Sequence, residues 1–147
     1  MENIYTDEYF MNKALQEAEY ALAKGEIPIG AVVVVNDRII ARSHNLTEML
    51  TDVTAHAEMQ AITSAANYLG GKYLKECVMY ITVEPCQMCA GALYWSQITK
   101  IVYGASDNKR GYTSMGGKLH PKTVVVSGVM EEECGNMMKR FFEDKRR

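Results

Sequence analysis

Two cysteines, Cys86 and Cys89, follow Pro85 and a β-branched, apolar run from Val78 to Val83. The run reads as a buried strand, and Pro85 stops it and pre-sets a helical φ. The C-x-x-C spacing then predicts both thiols on the first turn of a helix, where unpaired amides and the helix dipole favour thiolate over thiol. Upstream, Thr54-Ala55-His56-Ala57-Glu58 offers an imidazole and, two residues on, a carboxylate. His56, Cys86 and Cys89 form the mixed nitrogen and sulfur set that zinc takes tetrahedrally. Three protein ligands leave one position for water, which is what separates catalytic from structural zinc. Glu58 is too hard a ligand, and too close to His56 in sequence, to be the best fourth ligand. A carboxylate beside an activated water can instead accept a proton and deliver it elsewhere.

Other uses of these residues call for other surroundings. A redox C-x-x-C pair wants an N-terminal β-α-β context and leaves His56 and Glu58 without a role. A four-thiol structural site would recruit Cys77 or Cys134, the remaining cysteines of the chain. Cys77 falls at a strand start and Cys134 on the last helix, and each reads better as a small buried hydrophobe.

The elements that must bring these stretches together follow from hydrophobic periodicity. A helix is predicted from Thr6 to Lys24, capped by Thr6, with Asp7 and Glu8 at the positive end of its dipole and Gly25 as its stop. Ile29 to Val35 reads as a strand buried on both faces, and Asn36-Asp37 turns it into a second strand, Arg38 to Arg42. After a polar loop, a helix is expected from about Thr54 to Leu69 with Met59, Ile62, Ala65, Ala66 and Leu69 inward. A third strand runs from about Cys77 to Val83 and the Pro85 helix to about Ser96. Lys100 to Tyr103 makes a fourth strand and Thr123 to Ser127 a fifth. Between them, Ala105 to Lys122 shows no apolar periodicity, as functional or mobile segments often do. The last helix starts at Glu131, with Met137, Met138, Phe141 and Phe142 as packing residues. The order predicts a three-layer α/β/α sandwich around a mixed five-stranded sheet.

At 147 residues the chain suits one domain, residues 1–147, burying roughly two-thirds of its unfolded surface. No run is apolar enough to span a bilayer, and the N-terminus lacks the basic and apolar regions of a signal peptide, so a cytoplasmic protein is expected. The net charge of −2 gives no whole-molecule field that would draw nucleic acid.

His56-Ala57-Glu58 with Pro85-Cys86-Gln87-Met88-Cys89 resembles the H-x-E and P-C-x-x-C pattern of zinc nucleobase deaminases. The similarity runs from about Tyr9 to Phe142, and within that superfamily the chain looks most like the bacterial tRNA-specific adenosine deaminases. Glu26 to Val32, Asn45, Thr54 to Glu58, Glu84 to Ala92 and Gly104-Ala105-Ser106-Asp107 carry it. The resemblance implies the cytidine deaminase-like fold, one Zn2+ per chain on His56, Cys86 and Cys89, and Glu58 as proton shuttle to a zinc-bound water. It implies conversion of adenosine to inosine at the wobble position of a tRNA, with tRNA-arginine the expected anticodon loop. Asn45 and the Ala57 N–H match positions that bond the base, and Asp107 a position near the ribose-phosphate. A homodimer is also implied, and the helix after Cys86, with Met88, Leu93, Tyr94 and Trp95, has residues suited to an interface or to the core.

Flanking residues bear on the substrate. Lys109, Arg110, Lys118, His120 and Lys122, with Tyr112, form one basic group, and Lys139, Arg140, Lys145, Arg146 and Arg147, with Phe141 and Phe142, a second. Cations with interleaved rings suit a single-stranded RNA loop, although they also suit a solvated helix end. Ala92-Leu93-Tyr94-Trp95 resembles guanine deaminases, the alternative enzyme. A non-catalytic zinc subunit that binds RNA would be expected to lack Glu58. Val53 stands where the resembled enzymes usually have proline, and the segment ending at Leu119-His120-Pro121-Lys122 is shorter than theirs, which usually holds a short helix.

Overall fold

The computed structural model describes residues 3–145; Arg146 and Arg147 of the C-terminal basic group lie outside the described residues. Helix α1 (Asp7–Ala23) starts where Thr6 Oγ1 accepts the Tyr9 N–H at 3.1 Å. Strands β1 (Gly30–Val35) and β2 (Arg38–His44) form a hairpin whose turn residues, Asn36 and Asp37, both take positive φ. There follow α2 (Ala57–Leu69), β3 (Val78–Val83), α3 (Gln87–Ser96), β4 (Lys100–Ala105), α4 (Tyr112–Met115), β5 (Val124–Ser127) and α5 (Glu131–Lys145).

The strands lie in the order β2-β1-β3-β4-β5, with β1 antiparallel to both neighbours and β3, β4 and β5 parallel. Alternation along β1 sends Ala31 and Val33 to one face and Val32 and Val34 to the other. Ala31 and Val33 pack with Ala57, Ala61 and Ala65 of α2 and Leu93 of α3. Val32 and Val34 pack with Phe10, Met11, Ala14 and Ala18 of α1 and with Cys134 and Met137 of α5. The expected mixed five-stranded sheet between two helical layers is therefore the fold. On its outer face, α1 crosses β1 at Gly30, where a Cβ would lie 2.6 Å from the Ala18 nitrogen and against the Ala14 carbonyl. A helix can approach the strand this closely only over a residue without a side chain.

The two helices of the other layer start later than their sequences suggest. Asp52 Oδ1 accepts both the N–H and the hydroxyl of Thr54, so Thr54 and Ala55 belong to a turn and α2 begins at Ala57. Pro85 likewise stands before the N-cap of α3, because Cys86 keeps an extended backbone (φ −71°, ψ 174°). The inward face of α2 is built from Ala57, Ala61 and Ala65, whereas Leu69 is 40% exposed. Small side chains face inward there because α2 packs against both the sheet and α3. The segment from Ala105 to Lys122 also differs from its sequence reading: Ala105 completes β4, and Tyr112–Met115 makes one helical turn.

Candidate active site

The carboxyl end of β3 and the loop after β2 deliver the starts of α3 and α2 to one point. His56 is the N-cap residue of α2, and Cys86 that of α3, and neither makes a capping hydrogen bond with its side chain. Cys89 follows on the first turn of α3, so the sequence reading of that turn holds for it. His56 Nδ1 stands 3.6 Å from Cys86 Sγ and 3.5 Å from Cys89 Sγ. Among the described residues these are the only three His, Cys, Asp or Glu side chains gathered closely enough to hold a metal together. A tetrahedral zinc at ordinary bond lengths separates its nitrogen and sulfur ligands by roughly 3.5–3.6 Å, so the donor set fits zinc in both chemistry and spacing. Cys77 and Cys134 are buried in the two opposite core clusters, away from this point, and no four-thiol site forms.

The electrostatics of the cluster suit a metal. A hydrogen bond from the Cys89 thiol, helped by His56, brings the Cys86 thiol down to about 4 against its burial. Cys89 moves the opposite way, raised first by that hydrogen bond and then by burial, so the two sulfurs share one proton. His56 is raised by its hydrogen bond to Cys86. Glu58, on the first turn of α2, is 3% exposed and points into the same place. Burial raises its carboxyl from 4.5 to about 7, and its Oε1 has no hydrogen-bond partner. An unpartnered buried oxygen beside a ligand cluster is an acceptor held ready for something that arrives later.

Two hollows open on either side of His56 and Glu58 and share Ile27 and Ile29 as walls. One, of about 480 Å³, is bounded by Glu84, Asp107, Lys109, Arg110, Lys139 and Phe142, among others. The other, of about 460 Å³, holds Asn45 and Ala57. Six of the seven residues singled out from sequence line these two hollows, and the seventh, Cys89, is buried behind them against His56. Asn45 is buried, and its side-chain amide reaches the Thr47 hydroxyl at 3.4 Å. The Ala57 N–H opens α2, one of the amides a helix leaves without an internal acceptor. Asp107 Oδ1 accepts the N–H groups of Lys109 and Arg110, so this side chain also folds its own turn.

The sequence reads Met137, Met138, Phe141 and Phe142 of the last helix as packing residues and its cations, with Phe141 and Phe142, as a group suited to an RNA loop. Met137 and Phe141 are indeed buried, whereas Met138 and Phe142 face the larger hollow with Lys139. The sequence reading gave no role to two buried carboxylates. Glu26 accepts the N–H groups of Glu48 and Met49 at 3.0 and 2.8 Å, fastening the loop that follows Asn45. Glu84 does the corresponding work on the Asp107 side. Each is an acidic residue set directly against an apolar strand or a proline, which is the one signal the sequence holds for them.

A family model described as the cytidine and deoxycytidylate deaminase zinc-binding region matches residues 4–105. The chain is 46% identical over 147 residues to the tRNA-specific adenosine deaminase of Bacillus subtilis (strain 168), covering 96% of this chain and 91% of that protein. It is 50% identical over 144 residues to the tRNA-specific adenosine deaminase of Aquifex aeolicus (strain VF5), covering 95% of each. A solved structure from a study of A-to-I editing by tRNA:A34 deaminases at the wobble position superposes with a TM-score of 0.82 at 41% identity, over 88% of this chain and 98% of that one. The guanine deaminase of Bacillus subtilis superposes at 0.66 with 36% identity, over 76% of this chain and 68% of that one. With its zinc-ligand cluster, its mixed sheet and these relatives along nearly its whole length, the chain belongs to the cytidine and deoxycytidylate deaminase family, on the branch of the tRNA-specific adenosine deaminases.

Proposed function

We propose that this protein converts adenosine to inosine at the wobble position, A34, of a transfer RNA, with Glu58 as the proton shuttle. The observation that carries the reading is the buried Glu58 carboxylate, one oxygen unpartnered, beside the cluster of His56, Cys86 and Cys89. Its proton affinity near neutral pH matches what a group that both takes and gives a proton requires. Zinc, when bound by His56, Cys86 and Cys89, supplies the Lewis acidity that lets a water ionise near neutral pH. Glu58 takes a proton from the water that adds to C6 of the adenine and returns it to the departing amine. Adenosine and water become inosine and ammonia. Asn45 and the Ala57 N–H serve the base from the smaller hollow, and Asp107 serves the sugar-phosphate side.

A polynucleotide is favoured over a free base by the walls of the larger hollow. Lys109, Arg110 and Lys139 offer charge for phosphate, and Phe142 a ring for an unstacked base. The relatives named tRNA-specific adenosine deaminase support the same choice. A homodimer belongs to the proposal too. Of the interface candidates, Leu93 is core, Met88 and Tyr94 are half-buried, and Trp95 is 76% exposed, so Trp95 is the residue that remains for a partner.

The test is a parallel assay of zinc-loaded protein on tRNA-arginine with an ACG anticodon, on free guanine and on free cytidine. Inosine at position 34 at low enzyme concentration is the expected result. Guanine turnover without inosine in the tRNA would replace the proposal with a guanine deaminase.

A further inference from the structure

We propose that Glu84 is a positioning residue for this reaction: its buried carboxylate fixes where Asp107, Lys109 and Arg110 stand relative to Glu58. The inference rests on the RNA reading given above for its kinetic consequences, and on geometry alone for the fastening itself. Glu84 is 6% exposed and lies directly before the Pro85-Cys86 start of α3. Its Oε1 accepts the Asp107 N–H at 3.0 Å. Its Oε2 accepts the Thr113 N–H at 3.1 Å and the Thr113 hydroxyl at 2.6 Å. One side chain therefore grips both ends of the turn that carries Lys109 and Arg110. No lysine, arginine or histidine among the described residues pairs with it, so three neutral donors are all that compensate its desolvation. Losing any of them would be costly.

The backbone fits around this carboxylate. A Cβ on Gly111 would fall on the Glu84 Cδ and Oε2 and 2.5 Å from the Asp107 carbonyl, so the chain passes over the carboxylate at a residue with no side chain. The Tyr112 N–H donates to the Pro85 carbonyl at 2.9 Å, and Gly111 bridges to Cys86. The segment is thereby joined to the strand end that presents the two cysteines. Beyond these ties, Tyr112 and Leu119 pack against the core, and the segment's regular structure is the single turn of α4. Without Glu84 the turn keeps its own Asp107 capping bonds and the Gly111 and Tyr112 ties to Cys86 and Pro85, but loses the bonds that hold Asp107 and Thr113 to the end of β3. Its cations then no longer stand at a fixed place across the hollow from Glu58. The loss falls on binding of the nucleotide's phosphate side rather than on the proton transfer.

The experiment compares wild type with Glu84→Gln and, as a milder variant that keeps the carboxylate, Thr113→Val, which removes only the hydroxyl bond. Zinc content, steady-state kinetics on an anticodon stem-loop RNA, and amide hydrogen exchange are measured for each. For Glu84→Gln the expected result is unchanged zinc content, KM raised roughly tenfold or more with kcat reduced less than about threefold, and faster exchange at Asp107 to Thr113. Thr113→Val should show a smaller change of the same kind. A kcat loss with unchanged KM in both variants, or unaltered exchange at Asp107 to Thr113, would overturn the inference. Failure of the RNA reading would show differently, as wild-type protein inactive on the stem-loop, and the exchange measurement stands apart from it.

Discussion

Replacing Glu58 by glutamine should make the protein catalytically inert and, in its metal-free form, more stable. The substitution keeps the size of the side chain and removes its ionisation. Burial raises this carboxyl from 4.5 to about 7. Glu58 thus holds its proton more tightly in the fold than in the unfolded chain. Between those two values the folded state carries the extra proton, so stability falls as pH rises through the interval. Above pH 7 the ionised, desolvated group costs the metal-free fold about 3 kcal/mol. At pH 5 the cost shrinks to under about 1 kcal/mol. For a chain of this length, relief of the full cost raises the unfolding midpoint by roughly 6–12 °C. The assay is thermal or denaturant unfolding of chelator-treated wild type and Glu58→Gln at pH 8 and pH 5, beside turnover of the zinc-loaded pair. The expected outcome is a stabilised variant at pH 8, an offset that nearly vanishes at pH 5, equal zinc content, and turnover lower by about 10²–10⁴-fold. A variant no more stable than wild type at pH 8 would refute the burial argument. Near-normal turnover at full zinc content would refute the shuttle.

Other consequences can be checked directly. Cys86→Ser should release the metal, and finding one tightly held zinc per chain in that variant would reject the ligand assignment. Zinc binding to the metal-free protein at pH 7 should expel protons, because Cys86 is already a thiolate while Cys89 holds its thiol proton, and the bond to Cys86 raises His56 as well. The apparent affinity should then rise by about tenfold per pH unit for each proton released. Calorimetry in two buffers of different ionisation enthalpy counts them, and a count of zero would contradict the shared-proton picture. Gly30→Ala should destabilise the fold by about 1–3 kcal/mol, because its Cβ meets the backbone of α1. Gly71→Ala, with open space around it, is the control that should leave the denaturation midpoint almost unmoved.

The metal ligands were legible in the chain because their spacing is local. A C-x-x-C on one helix start and an H-x-E on another leave few alternatives once both are present. The element order was legible for a similar reason: valine-rich β1 and β3 and the period of α1 have a single plausible reading. Helix starts were harder to place. Thr54 looks like an N-cap, and only the position of Asp52 reveals that it belongs to the preceding turn. On α2, Ala65 is buried and Ile62 and Ala66 pack inward as expected, but Leu69 is exposed and Ala57 and Ala61 are buried, because the space between sheet and α3 favours small residues there. Met138 alternates with buried neighbours on α5, and nothing in its own chemistry shows that it looks onto a cavity, whereas Phe142 sits among the cations that pointed the sequence toward RNA. The roles of Glu26 and Glu84 depend on amides more than twenty residues away, and one-dimensional spacing does not record such contacts.

His56 and Cys86 occupy the positions at which a helix normally receives a capping side chain, a contribution of about 1 kcal/mol apiece. Here both side chains turn toward each other instead. The same two residues lie 30 positions apart, with all of α2 and β3 between them. A metal held by both is therefore a crosslink as well as a reagent. It closes a loop about as large as those sealed by structural disulfides, for which chain entropy gives about 3–4 kcal/mol. Such a crosslink would stand in for two missing helix caps. Demetallation should consequently loosen the first turns of α2 and α3 together, while their far ends, closed by left-handed Gly70 and Gln97, stay in place.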